Sequence, residues 1–490
     1  MFPGNSEMRA TIFRLIGRYA FWLKQRTYQD GGNTLNSMVS LLLEFLSIII
    51  PNNPFAVEAS NLTLALARIT EECGASIGVD KFNQLTGAIQ QMPDYLVEEL
   101  LLALTRTALG FDDESTAQEC LHSLFKPNVD GIKEFSTAPG DAGGKASAYY
   151  HRMLSLRKQA KESSEGQGDN PGIPSSAGHD RRVAASLAVC SYLKRMKSII
   201  KTIGSSKRYE NLRKSTSEGL NHPVTNVIFH LWEDLQNVSN IFFDDINVHE
   251  SLSSVYKHAI GAAKLAFAPL LENMVSVILV TVEKNAKDTA DKWKKLINEN
   301  RSILAGETGT LLDQEVAEKL MEAFFHSGYV YLASVIVREY GRIASARNHL
   351  VNLTTKLTHH VNHLLPVETF PPVLSHSLAE LMPSGSVMRY VCLYASSNCN
   401  GVPTEDEAAI GFPMVSAHGE STINALAVRL NYNPELADDW FTLAERAFDM
   451  FPREYLNSHV ASTALQLCFA GFKCAHSLVI NAVCSYMTVC

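Results

Sequence analysis

Apolar residues recur at helical spacing almost from end to end of this 490-residue chain, and the helices they imply come in pairs. Over 93–109, Leu96, Leu100, Leu104 and Ala108 rise in steps of four. Val97 and Leu101 widen that stripe, and Asp94, Glu98, Glu99, Thr105 and Arg106 take the other face. Pro93 suits a first helical position and Gly110 the position just past an end. Asn53 reads as the cap of a helix that opens at Pro54 and stops at Gly74, with a shorter amphipathic segment at 79–91. The two proline starts lie 39 residues apart, so one helical hairpin fits each interval of about 40, the period of HEAT and armadillo units.

The same grammar continues. Asp313 caps a helix carrying Val316, Leu320, Phe324 and Phe325 that ends at Gly328, and Asn433 and Pro434 open one carrying Leu436, Trp440, Leu443 and Ala447 before Pro452. VSVILVTV at 275–282 has the composition of a buried strand, but it continues the pattern of Leu270, Leu271 and Met274 and reads as helix. Helical hairpins without βαβ alternation predict an all-α fold, a right-handed α-solenoid of HEAT/armadillo-like hairpins. One segment interrupts it: 136–182 has 17 of its 47 positions as Gly, Pro or Ser, and buries too little to offset its ordering entropy. The expected organisation is therefore repeats over 1–135, a disordered loop over 136–182 and repeats over 183–490. A linker between two domains is the alternative reading of that loop.

Charge and cysteine usage narrow the class. Lys plus Arg number 43 against 51 Asp plus Glu, a net charge of −8, which argues against coating nucleic acid or anionic membrane through the overall field. The most apolar runs, 41–50 and 275–282, fall short of the roughly 20 residues a membrane helix needs, so no membrane insertion is expected. Nine dispersed cysteines with no C-x-x-C pair read as free thiols in a reducing compartment.

The search for chemistry returns little. Gly306 and Gly309 lack the lysine of a phosphate loop, and no H-E-x-x-H occurs. His359 and His363 stand one turn apart, a metal-compatible spacing, but no acidic or Cys ligand lies close in sequence, and a polar helix face is the simpler reading. The pairs Asp112/Asp113, Asp244/Asp245 and Asp438/Asp439 suit helix ends or faces. Two charged stretches stand out. Residues 192–214 carry eight Lys or Arg against Glu210, either a solvated basic face or an anion-binding patch, and 435–454 carries six acids against Arg446 and Arg453. Neither an enzyme nor a cofactor is expected.

Four stretches carry a family resemblance: MRATIFRLIGRYAFWL at 8–23, FAPLLENMVSVIL at 267–279, YVYLASVIVREYG at 329–341 and NPELADDWFTLAERAFDMFP at 433–452. In that order they resemble the C-terminal half of nuclear transport receptors of the importin-β superfamily, in the branch of transportin-SR and importin-13. The resemblance implies a karyopherin that binds protein cargo, of SR type or basic, on a concave surface. It also implies control by the Ran GTPase, weak contacts with nucleoporin FG repeats, and shuttling between nucleus and cytoplasm. No counterpart of the family's N-terminal Ran-contacting helices precedes Met1, so a fragment is expected. The branch's arginine-rich cargo helix falls at about 249–264, where Lys257, His258 and Lys264 remain and Glu250 and Ser253 stand in arginine positions. With the acidic Asp438 and Asp439, these are the candidate cargo-binding residues. A helical-repeat scaffold that only positions other proteins is the rival reading.

Overall fold

The computed structural model describes residues 5–137, 177–299, 327–357 and 434–489, apart from scattered positions within them. Among the described residues the chain is helical and contains no strand. It divides into two compact units, Met1–Pro269 and Leu270–Cys490.

The first unit holds α1 (Ser6–Arg18), α2 (Ala20–Asp30), α3 (Asn33–Asn52), α4 (Val57–Cys73), α5 (Val79–Ile89), α6 (Asp94–Leu109), α7 (Glu114–Thr137), α8 (Ala177–Ser205), α9 (Pro223–His230), α10 (Trp232–Ile241) and α11 (Ile246–Ala263). Its packing alternates. Helices α1, α4, α6, α8 and α11 pack each on the next, and α3, α5, α7 and α10 do the same beside them. Two ridges of side chains thus meet along one core, which contains Phe13, Leu66, Leu100, Ile200 and Ile260 from the first row and Leu42 and Phe82 from the second. Small residues let the first row approach closely. A Cβ on Gly17 of α1 would stand 3.1 Å from the Ala65 Cα of α4, and one on Gly204 of α8 would stand 3.0 Å from the Ala262 Cβ of α11. An ion pair adds direction: Arg9 Nε and Nη2 donate to the two carboxylate oxygens of nearly buried Glu58 at 2.7 and 3.1 Å, fixing α1 on the first turn of α4.

The second unit holds α12 (Leu271–Glu299), α13 (Ser327–Tyr340), α14 (Pro434–Met450), α15 (Pro452–Leu456), α16 (His459–Gly471) and α17 (Ser477–Val489). Helix α12 packs on α13, and α14 packs on α15, α16 and α17. An aromatic cluster centres the latter group: Trp440 and Phe441 meet edge to face at 5.3 Å, Phe441 lies 5.7 Å from Tyr486, and the Tyr455 and Tyr486 hydroxyls share a hydrogen bond of 2.7 Å.

Several sequence expectations shift. Asn53 is not the cap of α4. Its amide closes the end of α3 on the Ile49 carbonyl, and α4 starts at Val57. Thr105, assigned to the polar face of α6, is fully buried because its hydroxyl turns back to the Leu101 carbonyl. The segment 136–182 is helical at both edges, since α7 runs through Thr137 and α8 begins at Ala177; its interior lies outside the described residues. So do the histidines at 359–363 and the helix expected from Asp313 except for its stop, since Gly328 stands inside the helix Ser327–Tyr340 rather than ending one. The length argument from 41–50 also fails: Asn33–Asn52 and Ile246–Lys284 are long and apolar enough to cross a membrane by length and composition. The second of these runs is broken by a 3₁₀ turn that begins at Lys264.

Candidate functional site

The basic stretch 192–214 resolves into two groups with different work. Its arginines face inward onto helix ends, where terminal carbonyls have no partner within their own helix. Arg195 Nη2 donates to the Met92 carbonyl at 2.8 Å and Nη1 to the last carbonyl of α5, Ile89, at 3.4 Å. Arg208 Nη1 donates to the carbonyl of Leu109, the last residue of α6, at 3.0 Å, and Arg213 Nη2 to that of Ile203 at 2.6 Å. A guanidinium at a helix C-terminus also meets the negative end of the helix dipole. Arg195 and Arg208 tie α8 and the segment after it to the ends of α5 and α6, Arg213 closes the end of α8 itself, and neither the solvated-face nor the anion-patch reading describes them.

The lysines remain outside. Lys201 is exposed and Lys197 half-buried on α8, the helix most extensively packed against α11. There they meet two of the candidate residues, Lys257 and His258, both half-buried. Burial holds the His258 imidazole below its ordinary pKa, and the nearby charges of Lys257, Lys197 and Lys201 push the same way. The patch is thus three ammonium groups around a neutral imidazole, suited to holding an anion as point charges rather than through a bidentate fork.

Lys264 does not share this face. It lies past the end of α11, with φ 49° and ψ −125°, so the seven-residue spacing from Lys257 does not put both on one helical stripe. Its charge acts on Glu210, whose carboxyl is held below its usual range chiefly by a hydrogen bond from Lys214. Ser253 is equally unavailable, being buried with its hydroxyl donating to the Glu250 carbonyl.

The acidic candidates belong to the second unit. Asp438 is half-buried on α14, in line with Glu445 and exposed Asp449 on one stripe, opposite buried Trp440, Leu443 and Ala447. Asp439 follows on the same helix; its side chain lies outside the described residues. The other acid pairs behave as helix caps: Asp113 accepts from the Thr116 amide at 2.7 Å at the start of α7, and Asp245 from the Asn247 and Val248 amides at the start of α11.

Sequence reading missed the meeting of Lys197 and Lys201 with Lys257 and His258. The i, i+4 spacing of the two lysines was visible, but their partner helix lies three helices further along the chain. Among the described residues no group of His, Cys, Asp and Glu could hold a metal ion. Burial pushes the Cys73 and Cys120 thiols up to about 11, so both stay protonated and weakly nucleophilic at neutral pH. No protein-family pattern matches the chain, and no curated protein matches it either.

Proposed function

We propose that the chain is part of a nuclear transport receptor of importin-β type: a solenoid of HEAT-like hairpins that binds protein cargo, responds to Ran, contacts nucleoporin FG repeats and shuttles between nucleus and cytoplasm. The observation that carries the reading is the alternating contact pattern of the first unit, α1–α4–α6–α8–α11 beside α3–α5–α7–α10. Each helix contacting mainly its neighbours in a row and its hairpin mate is the packing a solenoid requires. The resemblance at 8–23, 267–279, 329–341 and 433–452 supplies the functional class. The lysine patch on α8 and α11 suits acidic or phosphorylated cargo, and the stripe of Asp438, Glu445 and Asp449 suits basic cargo.

The test is an affinity capture from nuclear lysate on the chain extended by any upstream coding sequence, with GTP-loaded or GDP-loaded Ran added. A receptor retains a set of nuclear proteins with GDP-loaded Ran and loses them with the GTP form. Retention indifferent to the nucleotide means a scaffold, and the transport reading fails.

A further inference from the structure

Helices α1 and α2 meet at Tyr19, which ends one and begins the other. The bend opens a groove of about 320 Å³ lined by Leu15, Ile16, Tyr19, Trp22, Leu23 and Met38. Leu15, Tyr19 and Trp22 are each about half exposed, and Phe21 and Tyr28 on α2 are more so. Contiguous apolar surface of this kind on a folded chain marks a contact surface.

The charge around the groove says what covers it. Residues 6–30 hold Arg9, Arg14, Arg18, Lys24 and Arg26 against Glu7 and Asp30, a net of 5 − 2 = +3 in a chain whose total is −8. Arg9 is committed to Glu58, and the Asp30 carboxylate to the Gly32 and Thr34 amides and the Thr34 hydroxyl. Arg14 donates to Asn61 and Arg26 to Gln29, both neutral, and among the described residues neither they nor Arg18 and Lys24 form an ion pair. Arg18 stands one turn beyond Leu15 and Arg26 one turn beyond Trp22, so both neighbour the groove in register, whereas Arg14 is turned to Asn61 of α4. The apolar slot is thus flanked by Arg18 and Arg26, neither of which has a carboxylate of the described chain at contact distance, although the charge of Arg26 acts on Asp30.

We infer that this groove docks an acidic amphipathic helix from a partner protein, with two or three large apolar side chains seated between α1 and α2 and flanking Glu or Asp residues on Arg18 and Arg26. A slot of this volume takes anchors at i, i+3 or i+4, and i+7 of one helix face. The rim charges set its sign and orientation, while the aromatic floor supplies most of the hold. The inference is independent of the transport reading.

The probe is a fluorescein-labelled 16-residue helical peptide with Leu and Phe at anchor spacing and Glu on the remaining faces, titrated by anisotropy against the full chain. Two companions replace every Glu by Lys, or every anchor by Ser. The acidic peptide binds at least tenfold more tightly than either companion. Trp22→Ala weakens it at least tenfold, and Arg18→Glu about fivefold with a loss of salt dependence. Circular dichroism confirms that each variant is folded. A photo-crosslinking version on the unmodified chain attaches within 14–26 or at Met38, which keeps the question open to decision if Trp22→Ala does not fold. The inference is overturned if the Lys peptide binds equally well, if the crosslink maps elsewhere, or if sedimentation shows a self-associated chain that Trp22→Ala converts to monomer, in which case a second copy occupies the groove.

Discussion

Gly74 and Lys264 leave their helices through the same backbone conformation, φ 51° and ψ −132° for the glycine and φ 49° and ψ −125° for the lysine. Each closes a helix of the same row, α4 and α11, and each starts a 3₁₀ turn, Gly74–Ile77 in one case and Lys264–Leu270 in the other. One solution to leaving a hairpin occurs twice, with the suitable residue in only one place. For any residue with a Cβ this region of backbone space costs about 1–3 kcal/mol.

Lys264→Gly therefore stabilises the protein by about 1 kcal/mol, after allowing for the greater freedom of glycine in the unfolded chain. Gly74→Ala destabilises it by about 1–2 kcal/mol. Urea titrations followed by circular dichroism measure both. A loss of stability in Lys264→Gly would mean that the attraction of the lysine for Glu210 outweighs the backbone strain.

Arg208 is the most heavily used of the internal arginines. Its Nε and Nη2 donate to one oxygen of Glu114 at 2.9 and 2.7 Å, and Nη1 donates to the Leu109 and Phe111 carbonyls, so one side chain joins the segment after α8 to the corner between α6 and α7. Arg208→Ala leaves those carbonyls without a donor and is expected to cost about 1.5–3 kcal/mol. Glu114→Gln, at a mostly exposed acid, costs 1 kcal/mol or less. Arg208→Lys recovers only part of the loss, because an ammonium cannot reach all three acceptors at once. Equal unfolding midpoints for Arg208→Ala and Glu114→Gln would rule out a special role for the two carbonyls.

What the sequence disclosed and what it hid follow from the range of each interaction. The stripes on α6 and α14 are local, and Leu96, Leu100, Leu104, Trp440, Leu443 and Ala447 are buried as their spacing predicts. Helix starts depend on one or two residues, so Asn53 next to Pro54 resembled a cap while serving the preceding helix. The role of an arginine depends on what lies opposite it in space. Nothing near Arg195 in the chain indicates the carbonyls of Ile89 and Met92, more than a hundred residues earlier. The same limit concealed the lysine patch, because it forms only when α8 packs on α11, and it placed Lys264 on a helix that stops one residue before it.

The two charged surfaces make opposite forecasts for cargo. Exposed ammonium contacts are worth about 1 kcal/mol or less each, so Lys201→Glu with Lys257→Glu weakens a phosphorylated Arg-Ser peptide about tenfold and leaves a basic protein unaffected or slightly favoured. Asp438→Lys with Glu445→Lys does the reverse, weakening a basic histone-like protein about tenfold. Lys264→Glu alone changes neither affinity by more than about twofold, since that lysine is off the patch. Calorimetric titration of both ligands against the three variants distinguishes the surfaces, and affinities unmoved by either double reversal would remove both from the binding site.

His222 makes the stability of the first unit depend on pH. Its ring is fully buried, neither nitrogen has a hydrogen-bond partner among the described residues, and it stacks edge to face on Tyr209 at 5.5 Å with Arg213 nearby. Burial first, and the Arg213 charge second, push its pKa down to about 4, against an ordinary value of about 6.5 in the unfolded chain. Above pH 6.5 the imidazole is neutral in both states and the full stability is present. As the pH falls through that value the unfolded chain takes up a proton that the folded chain refuses, so stability drops by about 1.4 kcal/mol per pH unit, with the loss levelling off near pH 4 at about 3 kcal/mol. His258, also depressed by burial and neighbouring lysines, acts in the same direction. Between pH 7 and pH 5 the parent chain should therefore lose about 2 kcal/mol through His222, and His222→Leu, which carries no proton in either state, should lose less by that amount. Urea midpoints for both proteins at the two pH values measure the difference. Parallel losses in parent and variant would assign the pH dependence to other groups.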